Sequence, residues 1–261
     1  MLNNFLEISK YFELLYTITW REIIIKYKQS VMGFMWAIFM PILIVAAGIL
    51  VKYAFAMLSN KPLSTEAIFS VTVKALPWSL FVSSIKFSSN SLIANANLVA
   101  KINCPRIIFP LSSVISQIFD FLIASIVLLI LFFFSPLKLT VYILWLPLLL
   151  LVFILLITGL GILFSAANLF FRDVKYIVEV ILTFAIFFTP VFYEVDLFPQ
   201  WSSILLLNPV APIFEAINSC VVLGKLPALG WVLYSSFFSL CCLIFAIFIF
   251  KKLEPYFAES I

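Results

Sequence analysis

The chain has 261 residues, 65% of them hydrophobic and 11% charged, with a formal net charge of +4. Soluble domains carry about 25% charged residues, so a water-soluble globular class is excluded, and the modest positive excess fits membrane topology better than a nucleic-acid partner. Histidine is absent, which removes the commonest general base and metal ligand and weighs against an enzyme.

The length fits about six spans of ~20 residues with short connections, so the chain reads as one polytopic membrane domain. No cleavable signal is expected at the start, where Asn3, Asn4, Glu7 and Lys10 interrupt any apolar run. Residues 1–20 are amphipathic. Phe5, Ile8, Phe12 and Leu15 make one stripe at 100° per residue, with Asn3, Glu7 and Lys10 nearly opposite. Such a helix lies in the membrane interface; a cytosolic helix packed on its own protein shows the same pattern.

The first span is expected at about 33–57. For the second, the stretch 67–85 would put Lys74 at mid-membrane, at about 2.5–3.5 kcal/mol on insertion scales. A span at about 75–95 is therefore preferred, with Lys74 at an interface and Pro77 in the first turn. Its many serines suit helix–helix contact. Further spans are expected at about 107–134, 141–166, 174–192 and 229–250. Between the last two, Pro199, Pro209, Pro212 and Pro227 break an apolar stretch at about 196–227 into halves too short to cross. These halves read as re-entrant or interfacial helices.

Lys and Arg in the loops set the orientation. With the N-terminus inside, inner segments hold eleven, among them Arg21, Lys26, Lys86, Lys101, Arg172 and Lys252, against Lys61, Lys138 and Lys225 outside. Both termini are then cytoplasmic. Arg172, Asp173 and Lys175 mark the cytoplasmic mouth of the fifth span, and Thr189-Pro190 its outer end.

Chemistry-bearing motifs are scarce. Cys104, Cys220 and Cys241-Cys242 have no CxxC spacing, so neither a metal site nor a disulfide framework is supported. No catalytic residue is assigned; Glu194-x-Asp196 reads as a pair of solvated loop acids. No G-x-x-x-x-G-K-[ST] loop occurs, so the chain cannot cradle nucleotide phosphates that way. Asp120 and Glu179 are the carboxylates within spans. They lack a relay partner at helical spacing and read as polar contacts between helices, with Lys175 at i−4 a ready partner for Glu179.

The stretch 21–41, REIIIKYKQSVMGFMWAIFMP, has its own order. Tyr27, Ser30, Gly33 and Trp36 recur in steps of three, which on one α-helix spread over half the circumference. A junction between an interface helix and a span is compatible with that spacing, with Gly33 allowing close approach.

With NLVAKINCPR (97–106), NLFFRDV (168–174), FTPVFY (188–193) and LNPVAPI (207–213), this stretch resembles the transmembrane subunit of the ABC-2 type polysaccharide exporters, which move O-antigen, capsular polysaccharide or teichoic acid. Arg21, Tyr27, Ser30, Gly33, Trp36 and Pro41 carry the N-terminal part of the resemblance; Cys104 departs from the bulky apolar residue more usual there. The resemblance implies an all-α membrane protein with six transmembrane helices, the N-terminal interface helix and re-entrant helices between spans five and six. It further implies a homodimer in the cell inner membrane with a channel between the copies. A separate cytoplasmic ATPase dimer would hold ATP and Mg, leaving no cofactor in this chain, and an undecaprenyl-linked polysaccharide would be the substrate. Tyr27, Ser30, Trp36, Arg172, Asp173, Pro190 and Tyr193 would border the substrate path, and Asn97, Leu98, Lys101, Pro105 and Arg106 would couple to the ATPase. An ABC-2 exporter of lipids or drugs, a secondary transporter and a membrane-embedded transferase are the competing classes. The second predicts internal repeats, of which none is visible.

Overall fold

The computed structural model describes residues 11–28, 33, 35–58, 64–101, 104–135 and 140–257. The expectations for Asn3, Asn4, Phe5, Glu7, Ile8, Lys10, Ser30, Lys61 and Lys138 lie outside the described residues. Among these, every regular element is helical: α1 Phe12–Lys28, α2 Met35–Leu58, α3 Thr65–Ala94, α4 Ala96–Lys101 and α5 Ile108–Phe133. A 3₁₀ turn, Val141–Trp145, leads into α6 Leu146–Phe170, followed by α7 Val174–Phe188, α8 Ser202–Leu206, α9 Val210–Val221 and α10 Leu229–Leu253. Helices satisfy their backbone groups internally, as hydrocarbon surroundings demand. Five of them, α2, α3, α5, α6 with its lead-in and α10, are long and apolar enough to cross a membrane. α7, at 15 residues, is shorter.

Proline and asparagine punctuate the chain for definite reasons. Pro190 pushes Thr189 into extended backbone (φ −111°, ψ 133°) and stops α7. Asn208 then donates to the Thr189 hydroxyl at 2.9 Å, tying the end of α7 to the turn before α9. At the other end of α7, the fully buried Asn168 donates to the Ser89 carbonyl on α3 (3.0 Å) and accepts from the Lys175 backbone N–H (3.1 Å). One side chain thus sets the corner between α6 and α7.

Three expectations change. First, α3 starts ten residues before the expected 75, and Pro77 lies inside it. Lys74 is at no exposed boundary; it is fully buried. A 30-residue helix is about 45 Å long, so on a ~30 Å core Lys74 falls several ångströms inside. It is tolerated because Glu215 on α9 pairs with it at 3.2 Å and the Tyr193 carbonyl accepts from it at 2.7 Å. Second, α1 runs on past residue 20 and buries Ile18, Ile23 and Tyr27, leaving Phe12 exposed. Third, Gly33 has φ +50°, and an added Cβ would meet nothing within 4 Å. It serves a left-handed turn between α1 and α2, not a close approach.

α3 is the central element, packed on α2, α5, α6 and α9, while α6 also carries α10 along its length. Trp78, Phe81, Phe153 and Phe214 pack with centroids 5.5–6.5 Å apart at one level of the core, with Phe81 stacked on Trp78 and Phe153, and Phe214 edge-on to both of those. A second cluster, around Leu92, Val99, Phe109, Phe250 and Phe257, lies under α1 and α4. α9 is buried nearly throughout, wedged among α3, α6, α10 and the 141–145 turn.

Candidate functional site

A cleft of about 430 Å³ opens between α1, α2, α3 and α5. Its lining follows helical periodicity. α3 contributes Leu76, Ser79, Leu80, Ser83 and Phe87; α5 contributes Gln117, Asp120, Phe121 and Ala124; α2 contributes Trp36, Ala37, Met40 and Pro41. The α3 and α5 sets fall at i, i+3, i+4 and i+7, and the α2 set at i, i+1, i+4 and i+5, each a single helix face. α1 closes one end with Lys26 and Tyr27.

That end is polar and satisfied. Lys26 forms an ion pair with Asp120, donates to Gln117 Oε1 at 3.0 Å and lies 5.0 Å from the Phe87 ring centroid. The Tyr27 hydroxyl donates to the other oxygen of Asp120. Burial, and then the bond to Asp120, pushes the pKa of that hydroxyl up, so it remains a donor at neutral pH. Desolvation strengthens such charge-assisted bonds. The cleft therefore has a charge-balanced polar head and a long apolar wall with two serine hydroxyls. It suits an amphiphile, and among the described residues it presents no activated nucleophile.

Tyr27 and Trp36 line the same cleft, with Gly33 in the turn between their helices. Arg172 and Asp173 are exposed in the corner before α7, where the Asp173 carbonyl accepts from the Tyr176 and Ile177 N–H groups. Pro190 and Tyr193 lie beyond the other end of that helix, about 22 Å away by rise per residue. Pro190 is buried, and the Tyr193 hydroxyl donates to the Phe187 carbonyl at 3.1 Å. Ser30 lies outside the described residues.

Around α4, Asn97 and Lys101 are exposed on one face, Leu98 and Pro105 are half-buried, and Val99 is buried opposite. Arg21 on α1 donates to Asn95, the residue that joins α3 to α4. The backbone N–H of Arg106 donates to the Glu254 carboxylate at 2.9 Å and its guanidinium to the Glu254 carbonyl at 2.8 Å, holding the following loop to the end of α10. The joint before α4 is thus tied to α1, and the loop at Arg106 to α10.

Lys26 with Asp120 and Lys74 with Glu215 are the buried polar pairs that periodicity did not join, because the partners stand 94 and 141 positions apart. Glu179 pairs loosely with Lys86 at 4.0 Å instead of with Lys175, whose ammonium lies 4.7 Å from the Tyr176 ring centroid. One signal was available: a buried lysine needs an acid, and Glu215 was the unassigned carboxylate in the proline-broken stretch.

Residues 13–222 match the family profile described as ABC-2 type transporter. The chain is 31% identical over 251 residues to an O-antigen export system permease protein RfbA of Klebsiella pneumoniae, covering 95% of each chain. A second Klebsiella pneumoniae protein of that name is 28% identical, again over 95% of each chain. One from Myxococcus xanthus is 26% identical over 98% of both.

Proposed function

The chain belongs to the ABC-2 type transporter family, and on that premise we propose that it is the permease subunit of an ATP-driven exporter moving lipid-linked polysaccharide of the O-antigen type outward across the inner membrane. The observation that carries this reading is similarity to O-antigen export permeases along nearly the whole of both chains. Two copies would form the channel, and a cytoplasmic ATPase dimer, holding ATP and Mg, would dock beneath the exposed face of α4.

In this reading α7 is the fifth of six crossings, the one added to the five long helices. Its helical part is about 22 Å long, short of a ~30 Å core, a mismatch that a bilayer meets by local thinning. Six crossings bring both termini to the cytoplasmic side, in keeping with the excess of Lys and Arg in the inner segments. α8 and α9, of 5 and 12 residues, are too short to cross and would form the re-entrant outer segment.

The cleft supports entry of an amphiphile from the bilayer. Its apolar wall matches a polyprenyl chain, and Trp36, Tyr27 and the serines match sugars by stacking and hydroxyl bonding. Weak, repeated contacts of this kind let a polymer advance without stalling.

Deletion of the gene tests the proposal. Surface polysaccharide should vanish while lipid-linked polymer accumulates in the cytoplasm, and re-expression should reverse both. Normal surface polysaccharide in the deletion strain would reject it.

A further inference from the structure

Behind Phe87 lies a second cleft of about 350 Å³, between α3 and α7, lined by Lys86, Asn90, Lys175, Tyr176 and Glu179. Phe87 lines both cavities. Their charge balance differs. In the first, Asp120 and Gln117 already engage the Lys26 ammonium. In the second, two ammonium groups face one carboxylate. That carboxylate, Glu179, stands 4.0 Å from Lys86 and is 55% exposed, while Lys175 rests over an aromatic ring. The cavity therefore carries one uncompensated positive charge, a polar amide at its edge and a direct neighbour in the amphiphile cleft.

We propose that this second cleft is the seat of the diphosphate headgroup of the lipid-linked substrate, with Lys86 and Lys175 as its ligands, while the lipid chain reaches past Phe87 into the first cleft. The inference rests on the exporter reading above. Ammonium groups on flexible stems act as point-charge ligands for phosphate oxygens. An arriving dianion displaces Glu179 from Lys86, which a pair held at 4.0 Å permits. The excess charge selects a diphosphate over a neutral polyprenol, and two ligands on different helices select it over a singly charged phospholipid.

The test uses the full chain with its ATPase in nanodiscs of neutral phosphatidylcholine, titrated with fluorescent polyprenyl diphosphate and, as a control, polyprenol. K86Q and K175Q are each expected to weaken diphosphate binding roughly five-fold, and K86Q/K175Q by about the product. K86R and K175R should retain binding, and polyprenol binding should be unchanged throughout. Unchanged diphosphate binding in K86Q/K175Q, or an equal loss for polyprenol, would overturn the proposal. So would loss of the difference between wild type and K86Q/K175Q when the nanodisc contains phosphatidylglycerol, since the site would then read any phosphate headgroup. Lysine-independent diphosphate binding by an exporting wild type sinks this inference alone. A wild type that moves no lipid-linked glycan sinks the exporter reading instead.

Discussion

Glu215→Leu should destabilise the protein far more than Lys74→Met. Lys74 is fully buried, and its ammonium has two partners, the Glu215 carboxylate at 3.2 Å and the Tyr193 carbonyl at 2.7 Å. Without the carboxylate, a whole charge remains inside the bundle on one neutral acceptor. Breaking a buried pair in this way costs about 3–5 kcal/mol. The reverse change is gentler, because the Glu215 side chain keeps 23% of its surface exposed and can turn to water, while Met fills the lysine stem's space; about 1 kcal/mol is expected. K74M/E215L replaces the pair with apolar groups and should return to within about 1 kcal/mol of wild type. Reversible unfolding in mixed micelles, followed by tryptophan fluorescence and circular dichroism, measures all three. The reasoning fails if E215L costs under about 1 kcal/mol, if K74M is the more damaging single change, or if the double variant is as unstable as E215L.

Asn168→Ala should cost about 1–3 kcal/mol, because it strands the Lys175 N–H and removes the tie to the Ser89 carbonyl; unfolding midpoints and trypsin cleavage near residue 172 report it. Gly159→Ala would place a Cβ 2.9 Å from the Leu243 backbone nitrogen, costing about 1–3 kcal/mol as α6 and α10 part, whereas Gly230→Ala meets nothing within 4 Å and serves as a near-neutral control. Burial raises the Glu22 carboxyl pKa, against the lowering effect of its bonds to Ser112 and Ser113 at 3.1 and 3.2 Å. The folded protein thus holds this proton to higher pH than the unfolded chain, and the associated stability is full below the unfolded pKa and lost as pH rises through the folded one. Unfolding midpoints across the acid range should fall with rising pH in wild type and flatten in Glu22→Gln.

The long crossings were legible because an apolar run of ~20 residues has few other uses, and Thr189-Pro190 was legible because proline dictates its neighbour's backbone. The start of α3 was not. Trimming the span at Lys74 treats a charge as foreign to the membrane, and only the fold shows Glu215 meeting it. Tyr27 and Trp36 were readable as a pair through their motif, but the ammonium and carboxylate beside them, Lys26 and Asp120, come from helices whose approach no local period encodes. Asn168 stood in a quoted motif with nothing to reveal that its amide spans α3 and α7. Asn97 and Lys101 stood out in sequence only through the NLVAKINCPR motif; the clamp of Arg106 on Glu254 was not legible, since it joins residues 148 positions apart.

Transport itself is the most direct test. Inverted vesicles holding this chain and its partner ATPase, supplied with radiolabelled lipid-linked polysaccharide, should sequester the polymer when given ATP and Mg, and fail to do so with a non-hydrolysable analogue. Asp120→Ala, which unpairs Lys26 at the head of the cleft, should slow the uptake. Sequestration that proceeds without hydrolysis, or none at all with an active ATPase bound, would contradict the account.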